Sequence, residues 1–370
     1  MANSVAIPQD IIDNIIEAVD DSRLLKNCAL VSSSFLLPSR KRLFSQISLR
    51  NDQACQGLHQ FLVENSVIQS FVRSIAITYR TSKSHLQFNC ISLIAILRLT
   101  FCCLESFSID IKIGMHPSNW NDFSSELKDA LSAIIISSTL KTLYLAEVSM
   151  PIMLFHGIHL TKLVLRNLGS LLLNDLDGEQ SRLPTSAASE GVATTASHTV
   201  IDQCVWNFYT VPRTRFGPPE PTFLPFMCRL RVFEIRVDPY SATTSDFEIL
   251  SFLMRSLRVS LTSPATLEHL KFDIVFEGKY NLFDYYELFD DLRDADVWSH
   301  LDSIIAHPTG SRLQRVDINI KYIFYYDVKA EQPDETLPTE HVLNALPLLH
   351  EKGILFVEAR LVGWHNLYGQ

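Results

Sequence analysis

Few residues in this sequence have the types and spacing that catalysis or cofactor binding requires. The patterns G-x-G-x-x-G and G-x-x-x-x-G-K-[ST], which wrap backbone N–H groups around phosphates, do not occur among its 12 glycines, and neither does G-x-S-x-G. His156 and His159 are three residues apart, but Pro151 and Gly157 disfavour a helix there, and no cysteine or carboxylate lies at ligand spacing. We therefore predict no catalytic residue, no metal and no cofactor. A hydrolase or transferase stays an alternative, because a catalytic triad is set by geometry.

The amino-acid composition and charge of the chain argue against some classes of binding partner. Of the 370 residues, 47% are hydrophobic and 20% are charged, which is an ordinary balance for a folded globular protein. The net charge is −9, and lysine and arginine form no long run along the chain. Nucleic acids and anionic membranes are bound by clustered positive charge, so we expect neither as a partner.

Cysteine usage and the N-terminal residues favour an intracellular location. The seven cysteines are odd in number and include no Cys-x-x-Cys pair, which favours free thiols in a reducing compartment. Residues 1–10 lack the basic region and the apolar run of a signal peptide. The most apolar stretch, 91–104, is interrupted by Arg98 and is too short to cross a bilayer. We expect a protein of the cytoplasm or the nucleus.

The elements that would position functional residues begin with three short helices in residues 1–50. Apolar residues recur at helical spacing from Ile11 to Val19, and the segment 20–22 breaks this pattern, with Ser22 as the expected N-cap of the next helix. A second apolar series ends at the serines 32–34, and a third follows. So small a unit cannot bury all these side chains within itself. We expect an exposed apolar patch, of the kind that marks a partner surface.

These residues, taken in order, resemble the F-box. The pattern of that family is Leu-Pro, a run of isoleucines or leucines at helical spacing, Val-Ser with a following aromatic residue, and a basic residue followed by Leu-Phe. Residues 7–8, 11–16, 31–35 and 42–44 match it in order and spacing. The resemblance implies binding to a Skp-type adaptor and, through it, to a cullin. The implied adaptor-binding residues are Ile7, Pro8, Ile11, Ile12, Ile15, Leu24, Leu25, Val31 and Phe35. The alternative is a helical cap on the open end of the following domain.

After residue 50 a short unit, Leu-x-x-Leu-x-Leu with substitutions, recurs along the chain. It starts at residues 72, 104, 140, 160, 230, 267, 313 and 354. The last three positions alternate apolar and polar, as in a half-buried strand. Helix-like stretches lie between several units, at 92–99, 123–137, 246–258, 284–305 and 340–351. A strand and helix that repeat must stack on their neighbours to bury their apolar faces. The series resembles the irregular leucine-rich repeats that often follow an F-box.

The predicted fold class is therefore α/β, with a three-helix F-box at 1–50 and an irregular leucine-rich-repeat-like α/β solenoid at 51–370. A general α/β domain with a mixed sheet is the alternative. The segment 174–225 interrupts the series, and its middle is rich in serine, threonine and alanine, which favours a flexible insertion. Within it, residues 205–209 carry aromatic side chains that would hold one piece in place.

Alternate residues of a strand face opposite ways, so the repeat also predicts which side chains point away from the core. They are polar and of mixed charge, which suits a specific protein contact. The predicted target-binding residues are Tyr144, Lys162, Arg166, Glu234, Arg236, His269, Lys271 and Arg315. The resemblance implies a non-catalytic substrate-recognition subunit of a Skp–cullin–F-box ubiquitin ligase, with a target protein that the sequence does not identify. The alternative is an interaction scaffold that engages no ligase.

Overall fold

Both compact units of the chain combine parallel strands with helices, so the predicted α/β class is confirmed. The units are Met1–Tyr144 and Leu145–Gln370. The computed structural model describes residues 7–81, 91–113, 116–146, 148–155, 157–166, 200–210, 230–239, 267–278, 298, 302, 312–325 and 337–364.

Three helices open the first unit, as the apolar spacing predicts. They are α1 (Gln9–Glu17), α2 (Ser22–Val31) and α3 (Ser33–Phe44). Pro8 precedes α1, where its missing N–H is tolerated, and Asp10 lies in the first turn, where the helix dipole favours an acid. The start of α2 differs from the prediction, because the Asp21 carboxylate accepts the backbone N–H of Arg23 at 2.7 Å. Asp21 therefore caps α2, and Ser22 is its first residue.

A sheet follows the three helices, with four strands inside the first unit and a fifth that runs past its last residue, Tyr144. Its strands, in sheet order, are β1 (Gln46–Leu49), β2 (Ser74–Thr81) and β3 (Ser106–Ile113), which are parallel, with the short β4 (His116–Asn119) antiparallel to β3, and then β5 (Thr142–Ala146). The helices of this region are α4 (Asp52–Glu64), α5 (Ser66–Gln69), α6 (Ile91–Leu97) and α7 (Ser125–Ile135). The last two confirm the helix-like stretches predicted at 92–99 and 123–137.

The second unit is built on six parallel strands that neighbour one another in chain order. After the short β6 (Val148–Ser149) come β7 (His159–Arg166), β8 (Val200–Thr210), β9 (Val232–Pro239), β10 (His269–Gly278), β11 (Arg315–Tyr325) and β12 (Leu355–Trp364). Two helices, α8 (Leu337–Ala345) and α9 (Pro347–Glu351), precede β12 and account for the stretch predicted at 340–351. Gly353 has a φ of +68°, a conformation that favours glycine, and it turns the chain from α9 into β12.

The repeat positions line up across each sheet and form its core. In the first unit, Ile75 pairs with Phe107 and Ile77 pairs with Ile109, and all four side chains are fully buried. In the second unit, one row of neighbours contains Leu163, Cys204, Phe233, Leu270 and Val316, none more than 1% exposed. The register that the sequence pattern predicts is thereby confirmed for these strands.

A backbone carbonyl just before each strand joins neighbouring repeats. In the first unit, the Arg73 carbonyl accepts the N–H groups of Glu105 and Ser106 at 2.8 and 2.9 Å. In the second unit, the Arg231 carbonyl accepts the N–H groups of Glu268 and the next residue at 2.9 and 3.0 Å. Since both backbone donors at the entry of the following strand are satisfied in this way, the register is set at the strand start.

Strand β8 is a repeat unit that the sequence pattern did not reveal. Ile201, Cys204 and Trp206 occupy its three repeat positions, opposite the three leucines of β7. Cysteine and tryptophan stand where leucine is usual, and the unit falls inside 174–225, which was predicted to be a flexible insertion. Residues 174–199 and 211–225 lie outside the described residues.

Two further strands depart from the predicted boundaries. Ile47 and Leu49 of β1 pair with β2, so the sheet begins inside the first fifty residues. In β12, Leu355 pairs with Val316, which places the last repeat unit two residues before the predicted start at 354. A shift of two residues keeps every side chain on its predicted face. The helix-like stretches predicted at 246–258 and 284–305 lie outside the described residues, apart from positions 298 and 302.

Candidate functional site

The apolar residues of α1–α3 divide into a small core and an exposed set. The core consists of Ile12, Ile16 and Leu25, each at most 4% exposed. Val19, Cys28, Phe35 and Leu43 pack against it. The three helices thus have a hydrophobic centre of their own, and two residues predicted to bind an adaptor, Ile12 and Leu25, belong to that centre. Phe35 is half-buried against it.

The other predicted adaptor-binding residues point into solvent. We call this set the apolar helical surface, and its members are Ile7, Pro8, Ile11, Ile15, Leu24 and Val31. The five large side chains of the set are 45–69% exposed. Ile11 and Ile15 are four residues apart in α1, so they are neighbours on one side of that helix, and Ile7 precedes its N-cap. Leu30 and Leu37 are also exposed apolar residues of these helices, and the family pattern did not single them out.

Two polar contacts hold the helices that carry this surface. The Gln9 side-chain amide donates to the Ser34 carbonyl at 3.2 Å, which ties the start of α1 to the start of α3. Arg42, the basic residue of the family pattern, forms an ion pair with Asp20 at 2.9 Å, which ties the end of α3 to the turn after α1. These contacts join residues 22 and 25 positions apart in sequence, so they fix how α1 lies on α3.

A second candidate surface lies on the polar side of the strands in the second unit. We call it the charged strand face, and its members are Glu234, Arg236, His269, Lys271, Asp273, Arg315, Asp317 and Asn319. Strand register places Glu234, Lys271 and Asp317 in one row across β9, β10 and β11. Arg236, Asp273 and Asn319 form the next row. Five of the eight predicted target-binding residues therefore lie together on this face.

Buried Glu234 organises one half of the charged strand face. Its side chain is 9% exposed, and Nε and Nη2 of Arg236 each lie 2.6 Å from its Oε1 atom. Lys271 Nζ lies 3.4 Å from the same oxygen and 2.9 Å from Asp273 Oδ2. Asn319 completes this half by donating to Asp273 Oδ1 at 2.6 Å. Each buried carboxylate thus has cationic or amide partners, as burial of a charge requires.

Buried Asp317 organises the other half. Nε of Arg315 donates to both of its oxygens, at 2.8 and 3.0 Å, and His269 Nε2 lies 2.7 Å from Oδ2. The Arg315 guanidinium also lies 4.5 Å from the centre of the Phe356 ring, a cation–π geometry. Phe356 is 49% exposed and was not among the predicted site residues.

The network shifts the pKa values of two of its members. Burial disfavours the charged form of Lys271, but the hydrogen bond that Lys271 donates to Asp273 and the charges of Asp273 and Glu234 outweigh it and raise the lysine pKa. Burial likewise opposes ionisation of Asp273, but hydrogen bonds from Asn319 and Lys271 outweigh it and lower the pKa of that carboxyl group. Both groups are therefore held in their charged forms at neutral pH.

The remaining predicted residues lie elsewhere. Lys162 and Arg166 are half-buried on β7, and Tyr144 is half-buried on β5 in the first unit. Of the two histidines weighed as metal ligands, His159 starts β7 in an exposed position, and His156 lies outside the described residues. In the part of the chain that the structure describes, no three His, Cys, Asp or Glu side chains are grouped to hold a metal ion.

Comparisons with known proteins assign no function to either of these two surfaces. No protein-family model matches the chain, and no curated protein shows significant sequence similarity to it. Among the described residues, none of the helices has the length and apolar character needed to cross a membrane.

Proposed function

We propose that this protein is the substrate-recognition subunit of a Skp–cullin–F-box ubiquitin ligase. Helices α1–α3 bind the Skp-type adaptor through the apolar helical surface, and the charged strand face binds the target protein. The subunit makes and breaks no bond itself. It raises the effective concentration of a target lysine near the conjugating enzyme that the cullin carries.

The observation that carries this proposal is the division of the apolar residues in α1–α3. Ile12 and Leu25 build a core, while Ile11 and Leu24, next to them in sequence, are about half exposed. Large apolar side chains left exposed on these helices favour association with a partner. A cap for the sheet would turn its apolar side chains inward, so the exposed set favours adaptor binding over the cap alternative. The F-box resemblance supplies the class of partner.

Capture of a purified Skp-type adaptor by the full chain tests the proposal. The test variant carries Ile11→Asp and Leu24→Asp, which place charge on the apolar helical surface without entering the core. Leu25 is unsuitable for this purpose, because an aspartate at a 4% exposed position would unfold the helices. The matched control carries Val67→Asp and Ile91→Asp, which are exposed apolar positions of the same unit outside α1–α3.

The wild-type chain and the control should capture the adaptor and the cullin bound to it, and the test variant should capture neither. Circular dichroism should give the same helical content for all three. Adaptor capture by the folded test variant would refute the assignment of Ile11 and Leu24. Failure of the wild-type chain to capture any adaptor would instead favour an interaction scaffold without a ligase.

A further inference from the structure

We propose that the charged strand face binds an extended acidic segment of a protein through Arg236, Lys271 and Arg315. This deepens the proposed function, on which its biological role rests, by naming the chemistry of the target. The binding itself does not require the adaptor and is testable without it.

The positive and negative side chains of this face differ in how exposed they are. The Arg236 and Arg315 side chains are 52% and 53% exposed, whereas the Glu234 and Asp317 side chains beneath them are 9% and 12% exposed. Lys271 is 28% exposed and Asp273 is 20% exposed. At β9 and β11 a partner approaching this face therefore meets the arginines first, and the carboxylates that pair with them lie below.

The two exposed arginines are held in place by neighbouring side chains. Each exposed arginine is anchored by a buried carboxylate two residues away on its own strand, Arg236 by Glu234 and Arg315 by Asp317. The Phe356 ring further limits the movement of the Arg315 guanidinium. A side chain that is ordered before binding loses less conformational entropy when a ligand arrives, so these arginines suit carboxylate recognition.

The spacing of the three cations is close to that of alternate side chains in an extended peptide. Arg236 is aligned with Asp273, two residues beyond Lys271 on β10, and Arg315 is aligned with His269, two residues before Lys271. The three cations therefore lie on a diagonal across three strands. From a strand spacing of about 4.8 Å and a rise of about 3.3 Å per residue, consecutive cations are roughly 8 Å apart. Acidic side chains on alternate residues of an extended peptide repeat at roughly 7 Å, within reach of this diagonal.

The composition of the face favours an acidic peptide over a nucleic acid. Single-stranded nucleic acids are usually held by several aromatic side chains on which bases stack. Among the described side chains of β9–β12 on this face, only one is aromatic, Phe356.

The test is fluorescence anisotropy with the full chain and a labelled nine-residue peptide in which glutamate alternates with serine. The comparison peptide has glutamine in place of every glutamate. The test variant combines Arg236→Gln, Lys271→Gln and Arg315→Gln. The matched control combines Arg23→Gln, Arg98→Gln and Lys141→Gln, which remove the same number of arginine and lysine charges from exposed positions in the first unit.

The wild-type chain and the control should bind the glutamate peptide with affinities within about twofold of each other. The test variant should bind it about tenfold more weakly, which corresponds to about 1.4 kcal/mol, or roughly half a kcal/mol for each exposed ion pair. Equal binding of the glutamine peptide by the wild-type chain would overturn the proposal, and this comparison needs no variant to fold. Tighter binding of an oligothymidylate of equal charge would overturn it in favour of nucleic acid.

A third variant, Glu234→Gln, separates positioned recognition from attraction by net charge. It makes the protein more positive by one unit and removes the anchor of Arg236. If the anchor matters, the glutamate peptide binds more weakly to this variant, and Glu234→Asp restores part of the affinity. Tighter binding to Glu234→Gln would overturn the positioning role. Adaptor capture is measured separately, so a negative result here leaves that part of the proposed function standing.

Discussion

Two neighbouring isoleucines of α1 give the sharpest test of how the first helices are built. Ile12 is 3% exposed and belongs to the core of α1–α3, whereas Ile11 is 45% exposed. Replacing either by alanine deletes the same three carbon groups from the same helix. The chemical change is matched, so any difference in stability reports the difference in burial.

The expected magnitudes follow from the buried area. Three carbon groups at about 0.8 kcal/mol each contribute about 2.4 kcal/mol when fully buried, and the cavity left behind raises the cost of Ile12→Ala to about 3 kcal/mol. Ile11 buries about half of its side chain and water fills the space it leaves. Alanine is also the better helix former, so Ile11→Ala should cost at most about 1 kcal/mol.

Amide hydrogen exchange read by mass spectrometry measures both values locally, in peptides that cover α1 and α2. Ile12→Ala should speed exchange about 150-fold, because each 1.4 kcal/mol changes the opening equilibrium about tenfold. Ile11→Ala should speed it about fivefold or less. Equal acceleration by the two variants would refute the division into core and surface, and with it the main support for adaptor binding.

Three further predictions concern single side chains. Asp302 is buried and accepts both backbone N–H groups at the start of α9, so Asp302→Ala should destabilise that helix by roughly 1–3 kcal/mol in hydrogen exchange, and Asp302→Asn by less. The pKa of Asp273 is lowered in the folded state, so its contribution to stability is present above the unfolded pKa of about 3.9 and is lost as the pH falls through the folded value. Urea unfolding should therefore show Asp273→Asn to be destabilising at pH 6, with the difference from wild type shrinking as the pH falls below about 3.9. Burial raises the pKa of the Cys204 thiol, so alkylation of the native protein at pH 8 should modify the exposed Cys102 and Cys103 and leave Cys204 unmodified until denaturant is added.

The repeat pattern predicted β2, β3, β5, β7 and β9–β12, whose repeat positions carry mostly large aliphatic residues or phenylalanine. It missed β1, although Ile47 and Leu49 pair with the repeat residues Ile75 and Ile77 of β2. It was insufficient for β8, because Cys204 and Trp206 fill the same buried row with side chains that the pattern does not include. The first fifty residues show the same limit. Ile11 and Ile12 are the same residue type on one amphipathic helix, and only the packing of α2 and α3 decides which of them is covered.

The charged strand face was predictable as a set of residues but not as a network. Alternation along a strand predicts that His269, Lys271 and Arg315 share a face. The bond between His269 and Asp317 joins residues 48 positions apart, and it depends on the register between two strands. A sequence pattern gives the direction of each side chain. It gives neither the partner across the sheet nor the depth to which a carboxylate such as Glu234 is covered.

The order of strands in the second unit has a consequence for how this protein is made. Because β7 to β12 neighbour one another in chain order, each strand can pair as soon as it leaves the ribosome, against an edge that is already complete. Strand β8 divides the long interval between the predicted repeat units at 160 and 230. Of the other intervals between predicted units, the longest runs from the unit at 267 to the unit at 313. At typical synthesis rates this interval takes about 2–9 s. During those seconds the open edge of β10 presents unpaired backbone N–H and C=O groups, with which a strand of another chain can pair.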